Sequence, residues 1–147
     1  MTIATARTGL YSMLTTCGPW KSTEVSACDY GILEQSSGCA IVFTPTGESV
    51  MESLTMSGTN VGITDYAFWH ITGELYIRFT GATPPFLSKV WAGIDDIHDT
   101  IKKDRTLQGN VQHARVKSFT YNVNEGYDIG GEDFGVVRFA VEVQDFG

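Results

Sequence analysis

Residues 84–146 read PPFLSKVWAGIDDIHDTIKKDRTLQGNVQHARVKSFTYNVNEGYDIGGEDFGVVRFAVEVQDF, and the order of patterns in this stretch decides the fold. Leu87, Val90, Trp91, Ile94, Ile97 and Ile101 recur at spacings of three and four, which predicts one buried helical face. Lys89, Asp95, Asp96, Asp99, Lys102 and Lys103 take the opposite side. Pro84 and Pro85 suit the first turn, and the two C-terminal lysines complement the helix dipole. Such a helix belongs on the surface of a sheet. After Leu107 and a turn at Gly109 and Asn110, Val111 to Val123 and Phe134 to Phe146 form two extended segments separated by Glu125, Gly126, Asp128, Gly130 and Gly131. They predict an antiparallel hairpin. In the second, Val137, Phe139, Val141 and Val143 alternate with Arg138, Ala140, Glu142 and Gln144, the period of a sheet with one face on a core.

Working outward, Met1 to Thr16 predicts a first helix with a stripe of Ile3, Ala6, Leu10, Met13 and Leu14, stopped by Gly18 and Pro19. Ile32–Leu33 and Cys39 to Phe43 are short apolar runs bounded by glycine and proline, each of strand length. Thr46 to Gly62 shows no strong period and is expected to be an extended loop. From Asp65 to Phe79 alternation returns. Ala67, Trp69, Ile71, Leu75, Ile77 and Phe79 lie on one face, and Tyr66, Phe68, His70, Thr72, Glu74, Tyr76 and Arg78 on the other. The second face mixes aromatic and charged groups, a composition suited to contact with another chain. The whole is an α+β fold over residues 1–147, a single domain with a largely antiparallel sheet on which an N-terminal and a central amphipathic helix pack.

Composition narrows the function. A formal net charge of -7 without a basic block argues against a surface that grips nucleic acid. Lys102, Lys103 and Arg105 flank Asp104 at a helix end and read as a C-terminal charge pattern. No apolar run approaches the roughly 18 residues of a membrane span, and no leader-like segment opens the chain, so synthesis and residence in the cytoplasm are expected. Cys17, Cys28 and Cys39 cannot all pair within one chain and are expected as thiols.

Catalytic and metal-binding signals are weak. His70, His98 and His113 fall on different elements, and the cysteines lack the close pairing of a zinc site. Asp95, Asp96 and Asp99 sit on the polar side of the helix, where a solvated face is the simpler reading than a magnesium or acid–base site. There is no phosphate-binding loop and no nucleophile elbow, and Gly130–Gly131 lies at a hairpin turn, where glycine supplies positive φ. No catalytic residue, cofactor or metal is expected, and the chain does not read as an enzyme.

Four segments carry a resemblance: ATARTGLYSML (4–14), FWHITGELYIRFTG (68–81), FLSKVWAGIDDIHDTIKKDRTLQGNV (86–111) and GVVRFAVEVQDF (135–146), with Asp104, Leu107 and Gly109 between helix and strand. Together they resemble the tail terminator, or minor tail and tail-completion, proteins of long-tailed noncontractile bacteriophages. The resemblance implies a virion structural protein of the neck. Six copies would form a ring on the head-proximal end of the tail tube, stop tube growth and offer a docking face to the head-completion or connector protein. Genomic DNA would pass through the lumen without specific binding, helped by acidic charge that repels phosphate. A ring requires two complementary surfaces on each subunit, and Tyr66, Phe68 and Tyr76 are the expected interface residues, with the 46–62 segment reaching a neighbour. Alternatives are a tail tube or head-closure subunit, or a small cytoplasmic ligand-binding domain with Trp69, Trp91 and His98 around a pocket.

Overall fold

Strands Ile63–Arg78 (β4) and Glu132–Phe146 (β7) lie antiparallel, in register from Tyr66↔Phe146 to Arg78↔Phe134. The computed structural model describes residues 3–20, 25–27, 39–43, 51–57, 63–79, 81, 83–122, 126–129 and 131–146. Both long strands share their outer edges between two short ones. On β4, Met51–Ser57 (β3) pairs with residues 63–69, and Cys39–Phe43 (β2) pairs with residues 74–77. On β7, His113–Tyr121 (β5) and Tyr127–Ile129 (β6) take the other edge, confirming the expected C-terminal hairpin. Val25–Ala27 (β1) adds to β2 in parallel, so the sheet is largely but not wholly antiparallel, in the order β1-β2-β4-β7-β5. Gly131 supplies positive φ (85°) at the β6–β7 turn, and its N–H donates to Asp128 Oδ1 at 3.1 Å.

Two helices, Ile3–Cys17 (α1) and Pro84–Lys103 (α2), share one core with the sheet, as the α+β reading expects. Alternation decides which strand residues reach them: Ile71, Leu75 and Ile77 from β4, and Val137, Phe139, Val141 and Val143 from β7, are all 3% exposed or less. On α1, Ala6, Leu10, Met13 and Leu14 are fully buried, the predicted stripe; the side chain of Ile3 is outside the described residues. Each fully buried Leu, Val or Phe side chain contributes roughly 1.5–3 kcal/mol, so this shared apolar face dominates the stability. Helix α1 ends on a lysine from its neighbour, since Lys103 Nζ donates to the Cys17 carbonyl at 2.6 Å. That contact satisfies one of the terminal carbonyls that a helix leaves unpaired.

The stripe on α2 differs from its expected one. The buried residues are Phe86, Val90, Gly93, Ile97, Thr100 and Ile101; Leu87 and Ile94 are half-buried, and Trp91 is 52% exposed. Residues turn by about 100° each, so Trp91 is rotated that far from Val90 and away from the sheet. Gly93 takes the inward place instead. A Cβ there would stand 2.5 Å from Leu75 Cδ2, so its absence brings the helix down onto β4.

Two further expectations are corrected or fall outside view. Part of the 46–62 segment, expected as a loop, is strand β3; its order comes from the backbone ladder along β4 and not from a hydrophobic period of its own. The rest of that segment, and Ile32–Leu33, lie outside the described residues.

Between α2 and β5 the backbone makes a left-handed turn. Leu107 (φ 48°), Gln108 (φ 61°) and Gly109 (φ 82°) all have positive φ, which is costly for the first two. The Asp104 carboxylate holds the turn by accepting from Thr106 N (2.9 Å), Thr106 Oγ1 (2.6 Å) and Gln108 N (3.0 Å). Those bonds, the Thr106 hydroxyl first, keep the Asp104 carboxyl below its ordinary range against the opposing effect of burial. The return is fully buried Leu107, and Gln108 bridging to Ser12 and Thr16 on α1.

Gly73 faces Phe139 directly across the β4–β7 ladder, and a Cβ at Gly73 would stand 2.3 Å from Phe139 Cζ. Phe139 is 1% exposed and belongs to the shared core, so its ring would have to shift among buried neighbours. Gly73→Ala is therefore expected to destabilise the chain by about 1–3 kcal/mol, read as a lower melting temperature. An unchanged melting curve would show that the ring is not seated on the glycine.

Candidate functional site

On the side of the sheet away from the helices, charged residues from β4, β5 and β7 meet around two buried carboxylates. Glu142, 5% exposed, accepts from Arg115 Nε at 2.9 Å and Gln144 Nε2 at 3.4 Å. His70 Nε2 lies 3.4 Å from the same carboxylate, and Lys117 Nζ 3.8 Å. Lys117 Nζ is also 3.1 Å from His70 Nε2, so that ring nitrogen accepts from lysine when it is bare and can donate to Glu142 when protonated. Further along β7, Arg138 Nε is 3.3 Å from Glu74, which is 7% exposed.

Register explains the grouping. Arg115 is opposite Glu142, Glu142 is opposite His70, and Arg138 is opposite Glu74, so each pair is a direct cross-strand neighbour. Lys117, two residues on from Arg115, shares its face, and a register irregularity between Val116 and Ser118 leaves it without a paired residue on β7. Burial pushes the Glu142 carboxyl up, but hydrogen bonds from Arg115, Gln144 and His70 together with the Arg115 charge outweigh it, and the group titrates below its ordinary value.

The expected interface residues fare differently. Tyr66 and Phe68 lie on β4, opposite Leu54 and Glu52 of β3, and their side chains are outside the described residues. Tyr76 does not face solvent as expected: it is 3% exposed. Its ring meets Phe134 edge-on at 6.5 Å between centroids, and the Arg78 guanidinium lies 6.0 Å over Phe134. The mixture of aromatic and charged residues on this face is therefore used partly within the chain.

The remaining candidates stay apart. His70, His98 and His113 sit on β4, α2 and β5, and no group of histidine, cysteine and carboxylate side chains among the described residues is arranged to hold a metal. Asp95 and Asp99 are exposed on α2; burial, then the charges of Asp99 and Asp95, raise the carboxyl of Asp96 against the pull of Lys103. Cys17 is a half-buried thiol, while the side chains of Cys28, Cys39 and Trp69 lie outside the described residues. An open groove of about 230 Å³ between α2 and β5 is lined by Ile94, Asp95, His98, Val116, Lys117, Ser118 and Phe119. Of the residues expected around a ligand pocket, His98 lines this groove and the exposed Trp91 does not.

Sequence reasoning missed the Glu142 cluster, although its signal is present: Arg115 and Lys117 on one strand, and Arg138 and Glu142 on the next, occur at even spacing. Joining them needs the register, which the bulge conceals. No protein-family model matches the chain, and no curated protein matches it.

Glu142 adds stability above its unfolded value of 4.5, and that contribution is lost as pH falls through its lower folded value. Glu142→Gln is expected to cost about 1–3 kcal/mol at pH 7, with the difference from the parent narrowing below about pH 4.5. Denaturant unfolding at several pH values checks this; equal stability at pH 7 would remove the carboxylate from the balance of the sheet.

Proposed function

We propose that the chain is a tail terminator of a long-tailed bacteriophage, a structural subunit that assembles as a six-membered ring on the head-proximal end of the tail tube. The observation that carries the reading is the Asp104–Gly109 junction. These residues belong to the sequence resemblance, and they fold as one locked turn that ties α2 to β5 and, through Gln108, to α1. A subunit that must present fixed surfaces to two unlike neighbours needs its helices held rigidly on its sheet. The α+β architecture is compatible with that role.

In this reading the ring halts tube polymerisation, receives the tail tube protein on one side and the head-completion protein on the other, and lets the genome pass. The excess of acid supports a lumen that repels phosphate. Tyr66 and Phe68 are proposed neighbour contacts. The β3–β4 ladder continues past the last β4–β7 pair, through Thr55↔Asp65 to Ser57↔Ile63, so among the described strands this end of β4 is paired with β3 alone. Among the described residues no helix is long and apolar enough to cross a membrane.

The test is electron microscopy of particles from a phage lacking this reading frame. Overlong tubes detached from heads are the expected result. Normal tails on filled heads would overturn the reading, and heads with no tails would move the chain to the tube.

A further inference from the structure

Glu142 divides its two oxygens between different partners. Oε1 accepts from Arg115 Nε at 2.9 Å and from Gln144 Nε2 at 3.4 Å. Oε2 has His70 Nε2 at 3.4 Å and the Lys117 ammonium at 3.8 Å, which is an ion pair but too long for a hydrogen bond. Lys117 Nζ lies closer to the ring itself, 3.1 Å from His70 Nε2. An ammonium only donates, so this contact is a hydrogen bond when Nε2 is bare and the ring proton sits on Nδ1. In that state the lone pair of Nε2 belongs to Lys117, and the ring gives Oε2 nothing.

A proton on Nε2 reverses the arrangement. The new N–H points its bond at Glu142 Oε2, and the imidazolium stands 3.1 Å from a second cation. One of the two must move. The His70 side chain is 14% exposed and sits on β4 opposite Glu142, whereas Lys117 is 43% exposed, carries its charge on a flexible stem and has no paired residue on β7. Lys117 also lines the groove between α2 and β5, which gives the freed ammonium a place beside Asp95.

The surrounding charges leave Oε2 as the group in contest. Arg115 on β5 stays on Oε1, and His113, at the start of that strand, is opposite Gln144. On β4, Glu74 lies four residues beyond His70 and is engaged by Arg138 of β7. On β3, Glu52 is opposite Phe68, with its side chain outside the described residues. From α2, Asp95 and His98 share the groove with Lys117.

We propose that His70 and Lys117 form a proton-driven switch: on taking up a proton, His70 Nε2 becomes the donor to Glu142 Oε2 and displaces the Lys117 ammonium from the sheet face toward the groove between α2 and β5. Imidazole is the side chain whose ordinary titration falls between about pH 5 and 8, so the device answers to mild acidification. The groove then gains a cation that the sheet face held before. This goes beyond the ring reading and does not depend on it.

The experiment is nuclear magnetic resonance of the labelled full chain, following the histidine ring nitrogens and the Lys117 Hε protons from about pH 8 to about pH 5. Circular dichroism checks that each variant is folded. At the upper pH, His70 is expected to have a bare Nε2, with Lys117 Hε close to its ring. At the lower pH, Nε2 carries a proton, and the Lys117 contact passes from His70 to Ile94 and Phe119. The Lys117 signals are expected to move with the same midpoint as the His70 ring, to do so still in His98→Gln, and to lose that step in His70→Phe. In Lys117→Met the ring proton is expected to shift from Nδ1 to Nε2 at the upper pH, because Glu142 is then the remaining partner of that nitrogen. A parent chain with Nε2 protonated at the upper pH overturns the switch. Lys117 contacts that are the same at both ends do so too, as does a step that disappears with His98. If His70→Phe does not fold, the Lys117 and His98 variants, both of exposed residues, still decide.

Discussion

The pairing of β4 with β7 is the constraint on which the other elements depend. Its partners are 56 to 80 residues apart in sequence, from Arg78↔Phe134 to Tyr66↔Phe146, and α2, β5 and β6 all lie in the chain between them. Until the ladder closes, neither helix has a complete surface to cover, because the buried valines and Phe139 of β7 and the leucine and isoleucines of β4 make one apolar face only when adjacent. The period of two makes the register strict. A slip by one residue would carry Glu142 and Arg138 beneath the helices and turn Val141 and Val137 away from them. Glu142 thus acts as a marker of register as much as a contributor to stability, since its partners on both neighbouring strands are available in one alignment.

The same constraint sorts charge. A strand buried on one face can carry ions only on the other, so fixing the apolar set fixes the ionic set as well. In this sheet the ionic residues are paired across strands instead of along them, and the carboxylates are buried while the cations remain half-exposed. The result is a surface whose positive groups are oriented by hydrogen bonds beneath them. Side chains held in that way lose less freedom on meeting a partner than unsupported lysines would.

How far the chain can be read without coordinates follows from the range of the forces involved. α1, α2 and the C-terminal hairpin were legible because their signals are local: spacing along a helix, alternation along a strand, glycine at a turn. The departures are non-local. Trp91 belongs to the apolar set by type, but the orientation of α2 is decided by Gly93 settling on Leu75, and a glycine leaves no mark on a hydrophobic pattern. Strand β3 contains serine and threonine, and its order derives from a neighbouring backbone. Tyr76 alternates correctly yet is buried, because Phe134 from another strand meets it. The Glu142 cluster draws on three strands and on a bulge, none of which is visible in any single segment.

The bulge at Lys117 has a consequence for unwanted association. β5 ends the sheet order, and the outer backbone of a terminal strand is a template on which foreign strands can add. An extra residue breaks the regular spacing of those groups midway along the strand, and a lysine and an arginine stand beside it. Strand addition is thereby obstructed at the place where it is otherwise easiest. The faces of the sheet are then kept from being drawn into amyloid-like stacks along its edge.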